Sequence, residues 1–146
     1  MEVKMVEISE KRDVVRIARA EGFIRLRKET LEKLKRKKIK KGNVIAAAQI
    51  AAIQAVKRTW EIIPLCHPIP ITGVDAEISI EDDGVRVTVT VTTVAKTGVE
   101  MEALTGVSVA LLTVWDMVKA YEKNEKGQYP YTVIEKIRVV EKVKHE

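Results

Sequence analysis

The only cysteine of the chain, Cys66, stands beside one of its two histidines, His67, in the stretch PLCHP (Pro64–Pro68). Three of the four prolines, Pro64, Pro68 and Pro70, surround the pair. Each proline fixes its own φ, so the backbone that carries the thiol and the imidazole is stiff. A metal site needs three or four ligands. One Cys and one His, with the carboxylates far away in sequence, do not supply them, and no metal is expected. A Cys–His nucleophile needs both groups within hydrogen-bond reach, whereas neighbours on an extended segment project to opposite sides. Two readings then stand even. In one, a rigid loop touches a ligand, with His67 hydrogen-bonding it and Cys66 packed nearby. In the other, a turn holds a buried Cys and a surface His.

Two further groups of residues could do chemistry. In VEMEALTGVSVALLTVWDMVKAYEK (Val99–Lys123), helical spacing brings Glu102, Thr105, Thr113, Asp116 and Lys119 onto one broad polar stripe. This is either a solvated stripe with an Asp116–Lys119 ion pair or the wall of a site. Fourteen residues separate Glu102 from Asp116, which is about 21 Å along a helix. One small molecule cannot touch both in the same subunit. A shared site requires two subunits, for instance with helices antiparallel about a two-fold axis. The third group is Lys41-Gly42-Asn43. A lysine before a helix start opposes the helix dipole, and an anion held there by free N–H groups reverses the sign. The spacing of a P-loop is missing.

These groups need a scaffold. With 146 residues, 46% of them hydrophobic, the chain suits a single domain, 1–146, with one core. Lone Cys66 excludes an internal disulfide framework and fits a reducing compartment. No long uncharged apolar run marks a membrane span, and the charged start MEVKMVEISEKRD has no signal-peptide core. A cytoplasmic protein is expected. The charged fraction of 32%, rich in Lys and Glu, leans towards a thermophilic source. The net charge is +5, with the excess concentrated between Arg25 and Lys41. That segment is either a solvated face or an attractor of a polyanion, nucleic acid or a phosphorylated small molecule.

The elements follow from periodicity. VVRIARAEGFIRL (Val14–Leu26) reads as a strand and KETLEKLKRKK as a short helix that Gly42 ends. Asn43 caps a helix that runs through VIAAAQIAAIQAVKRTW to Trp60. A hairpin turns at Asp82–Gly84, with Val74, Ala76, Ile78 and Ile80 on one face of its first strand and Val85, Val87, Val89 and Val91 on one face of its second. A long helix from Val99 and a last strand, YTVIEKIRVVEKV, complete the chain. The order strand, helix, strand, strand, helix, strand predicts an α+β, ferredoxin-like split βαβ fold. Two long helices then cover one face of a four-stranded antiparallel sheet, with a short additional helix. Both long helices are apolar nearly all round. Only Gln49 and Gln54 interrupt Val44–Val56, so the surplus apolar face predicts a homo-oligomer.

The blocks KGNVIAAAQIAAIQAVKRTWEIIPLCHPIPI and AKTGVEMEALTGVSVALLTVWDMVKA resemble the signatures of the cyclic pyranopterin monophosphate synthase family, molybdenum cofactor biosynthesis protein C. MVEIS and the first strand resemble its N-terminal block. The resemblance implies a lyase that acts on cyclised dihydro-GTP, a GTP-derived triphosphate, and rearranges it to cyclic pyranopterin monophosphate with release of diphosphate. It implies no redox cofactor, and no nucleic-acid or membrane partner is expected. It also implies hexamers built as a trimer of dimers, with the active site at the dimer interface. Residue by residue, it places Leu65, Cys66, His67, Glu100, Met101, Glu102 and Arg16 at the substrate and makes Asp116, Lys119 and Lys41 catalytic. Ring opening and closure call for general acids and bases, roles that fall to the two lysines with Asp116 orienting Lys119 or acting as base. Asn43 stands where the family commonly has Asp, and the Lys-Ser-Gly-Gly-like tail is absent from EKVKHE. Two rivals remain: a basic RNA-binding module, which scarce aromatics disfavour, and a catalytically dead relative.

Overall fold

A computed structural model describes residues 1–146. The elements run β1 (Val14–Arg25), α1 (Lys28–Lys35), α2 (Val44–Lys57), α3 (Thr59–Ile62), β2 (Ile71–Ile80), β3 (Gly84–Ala95), α4 (Glu100–Glu122) and β4 (Val133–His145). The sheet is antiparallel in the order β2-β3-β1-β4, the ferredoxin-like arrangement expected.

The hairpin forms because apolar residues meet apolar residues across it. Val74 pairs with Val91, Ala76 with Val89, Ile78 with Val87 and Ile80 with Val85. A shift by one residue would turn all of them to water. On β1 the same face carries Ala18, Ala20 and Ile24, fully buried on the side that α4 covers. The opposite face is polar: Glu21 meets Arg86 and Arg138, and Arg19 donates to the Thr90 hydroxyl.

Two glycines let the layers close. A Cβ at Gly22 would come within 2.8 Å of Leu111 and Val107 on α4, and one at Gly106 within 2.8 Å of Val56 on α2. Both distances lie well inside van der Waals contact. The middle of α4 is therefore pressed on β1 and on α2 with no spare room.

One helix boundary differs from expectation. The helix from Asn43 stops at Lys57 rather than reaching Trp60. Arg58 leaves helical geometry, its N–H shared between Gln54 and Ala55 carbonyls, and the Thr59 hydroxyl takes the Ala55 carbonyl. The four-residue α3 then redirects the chain into the proline segment. That segment is not extended throughout, because the Cys66 N–H closes a turn onto the Ile63 carbonyl at 3.1 Å. The length and hydropathy of α4 would suit a membrane span, yet half of its apolar window is buried within the fold, the place of a core helix.

Candidate active site

Two clusters form, one at each end of α4. Near its C-terminal end, Asp116 bridges two lysines. Lys119 Nζ lies 3.1 Å from Oδ1, one turn along the helix. Lys41 Nζ, from the loop before α2, lies 3.2 Å from Oδ2 and also donates to the Asp116 backbone carbonyl at 3.1 Å. Hydrogen bonds from Lys119 and then Lys41, with the charge of Lys41, hold the Asp116 carboxyl below its ordinary range. Lys41 is thus drawn to Asp116 instead of standing over the start of α2. There the Asn43 side chain accepts the Ala46 N–H at 3.0 Å, so the cap works without a carboxylate.

The second cluster gathers around the first turn of α4. Glu100, Met101 and Glu102 occupy its first three positions, where negative charge suits the helix dipole. Glu102 is only 4% exposed. Burial, followed by the charge of Glu100, pushes its carboxyl up despite its own backbone amide. The polar stripe is therefore not solvated along its length: Glu102 and Thr105 are buried while Asp116 is exposed. Burial raises the Glu100 carboxyl, but hydrogen bonding and charge from Lys142, with the more distant Arg16, outweigh it and the net direction is down.

Cys66 and His67 arrive at this end from the proline segment. Burial raises the Cys66 thiol, and the charges of Glu102 and Glu100 raise it further, so the thiolate that a nucleophile requires is disfavoured. His67 Nε2 lies 2.7 Å from the Val6 carbonyl. With no proton on a carbonyl oxygen, Nε2 must be the donor, and the ring is committed to the N-terminal segment rather than to Cys66. No dyad forms. Leu65 and Met101 remain exposed here.

Arg16 donates to the carbonyls of Ala95 and Lys96 at 3.0 and 3.2 Å. It sits on the helix-covered side of the sheet, opposite Lys144 on β4, with Lys142 opposite Ala18 two residues on. A cavity of about 210 Å³ is lined by Arg16, Gly98, Val99, Lys142 and Lys144 among others. Three cations line it, with Lys142 paired to Glu100 and Lys144 to Glu146. Sequence reasoning missed Lys142 and Lys144. The alternation in EKVKHE was the available signal, but it acquires meaning only once β4 is paired with β1.

The structure thus joins Lys41, Asp116 and Lys119, and separately Cys66, His67, Glu100, Met101, Glu102 and Arg16. It does not join the two groups within one chain. The RNA-binding rival lacks a stacking platform on the sheet: the one Phe, Phe23 on the polar sheet face, is 6% exposed and lies beneath Arg25 and Arg86, and the exposed aromatics Trp60 and Tyr131 lie outside the strands.

Comparison with known proteins agrees with the resemblance in the motifs. The MoaC family model matches residues 5–145. A Pyrococcus furiosus protein named "Probable cyclic pyranopterin monophosphate synthase" is 65% identical over 99% of this chain and 92% of its own length. Thermococcus kodakarensis and Archaeoglobus fulgidus have proteins of the same name. The first is 67% identical over 99% of this chain and 92% of its own length, the second 65% over 97% and 91%. Relatives are mostly from thermophiles, in line with the Lys- and Glu-rich composition. The chain belongs to the MoaC family.

Proposed function

We propose that this chain, as one domain over 1–146, converts cyclised dihydro-GTP to cyclic pyranopterin monophosphate with release of diphosphate. This is a phosphorus–oxygen lyase step of molybdenum cofactor biosynthesis. The observation that carries the reading is the Lys41–Asp116–Lys119 cluster. Two ammonium groups stand 3.1 and 3.2 Å from the two oxygens of one carboxylate. That places two proton donors and one acceptor around a single point, the set that opening an aminal-like ring and closing another requires.

The other end of α4 supplies recognition. A Glu102 carboxyl biased towards its protonated form can donate to, as well as accept from, the purine-derived ring, and His67 offers its ring nitrogens once released from Val6. Arg16 and Lys142 face the phosphates. Since the ends are about 21 Å apart, we assign the complete site to two chains, the start of one α4 facing the end of its partner's. Exposed Ile50 on α2 and Leu112 on α4 support contact between copies, and we extend this to a homohexamer of three dimers. The single free Cys66 supports a cytoplasmic location. No cofactor is part of the proposal.

The test couples the protein to the preceding radical enzyme and GTP and looks for cyclic pyranopterin monophosphate. Product that depends on this chain is expected. Salt-sensitive RNA binding with no product would contradict the reading.

A further inference from the structure

The Lys41–Asp116 pair cannot by itself fix where Lys41 stands. Both side chains are about half exposed, and exposed pairs hold geometry weakly. Something else must place the loop that carries Lys41 against α4. Ile39, buried in the core, holds the loop two residues away, and the polar anchors that could fix its orientation are few. Between residues 36–43 and α4, the hydrogen bonds besides those of Lys41 Nζ reduce to one: the Lys40 N–H donates to the Tyr121 hydroxyl at 2.8 Å.

Tyr121 is built to hold that position. Its ring packs on the apolar core, and Lys33 Nζ lies 5.2 Å from the ring centroid. The next residue, Glu122, is 1% exposed. It accepts the Arg27 N–H at 3.0 Å, the Thr30 hydroxyl, and the Thr132 hydroxyl at 2.6 Å. The last turn of α4 thus ties down the start of α1 through Glu122 and the loop beyond α1 through Tyr121. That same helix carries Asp116 and Lys119. Two sequence-distant parts of the acid–base cluster are locked to one rigid body, with the anchoring bond one residue from Lys41.

We propose that Tyr121 is a positioning residue, its hydroxyl setting Lys41 against Asp116 and Lys119 through the Lys40 amide. The inference rests on the proposed function for the meaning of that cluster, but the anchor stands on geometry alone. Tyr121→Phe removes one oxygen and leaves the ring in the core. The freed Lys40 amide is at the surface and takes water, so the fold survives.

The test measures three things in Tyr121→Phe and the parent chain. Hydrogen exchange in peptides spanning Ile39–Asn43 accelerates about tenfold once the bond is gone. Turnover falls about tenfold, while KM stays within about twofold, because placement and not substrate binding is lost. The melting temperature stays at the parent value. Unchanged exchange at Lys40 overturns the anchor. So does unchanged turnover, a loss confined to KM, or a loss that tracks a lowered melting temperature. A parent chain with no turnover overturns the proposed function instead, and the exchange measurement, which needs no substrate, still decides the anchor.

Discussion

The two ends of α4 hold carboxylates in opposite circumstances. Asp116 lies in the open between two ammonium groups and is held ionised by them. Glu102, fourteen residues earlier, lies in the fold beside a second carboxylate and is pushed towards its protonated form. One helix therefore presents a carboxyl that ionises more readily than usual at one end and one that resists ionisation at the other. Pairs of titratable groups whose surroundings drive them apart mark acid–base chemistry. Here they are too distant to serve one molecule unless a second chain intervenes. The middle of the helix, clamped by Gly22 and Gly106 against its neighbours, keeps the two ends from adjusting to one another.

The sharpest way to break this comparison is at the exposed end. Lys119→Ala and Asp116→Asn should each lower kcat by about 10²–10⁴-fold without lowering the melting temperature, because an exposed pair adds little stability. Near-parent turnover for either variant would remove that residue from the chemistry. In the clamped middle, Gly22→Ala and Gly106→Ala each force a methyl into atoms 2.8 Å away. Calorimetry should show destabilisation of about 1–3 kcal/mol. Unaltered stability would mean that the layers can separate and that the ends are not held apart rigidly.

Smaller effects refine the picture. Asn43→Ala loses the cap on Ala46 and should cost about 1 kcal/mol, measured by urea unfolding. At the buried end the sign is set by a raised folded-state pKa. The contribution of Glu102 is fully present below the ordinary Glu range and is lost as pH rises through the raised value. Glu102→Gln should flatten that decline in a pH series of melting temperatures. Asp116→Asn should instead remove a small contribution present above the ordinary Asp range and lost as pH falls through the depressed value.

Legibility divided along the same lines. The β2–β3 hairpin was readable because alternation and a Gly-containing turn are local, and each apolar residue found an apolar partner. The motif residues at both ends were readable as types, and the helical rise alone showed that Glu102 and Asp116 cannot meet. What could not be read was pairing across long separations. Lys41 reaches Asp116 over 75 residues, Lys142 meets Glu100 only through strand pairing, and Val6 takes His67 over 61 residues. The break at Arg58 escaped too, because apolar periodicity continues past it and only the competing Thr59 hydroxyl marks the end of the helix.

Subunit complementation tests the two-chain site most directly. Glu102→Ala and Asp116→Ala proteins, each inactive, are unfolded together in equal amounts and reassembled. Random pairing makes half of the dimers mixed, and each mixed dimer holds one site with both residues intact. Turnover should return to about one quarter of the parent value. A reassembled mixture as inactive as its components would contradict a site shared between the two ends of α4.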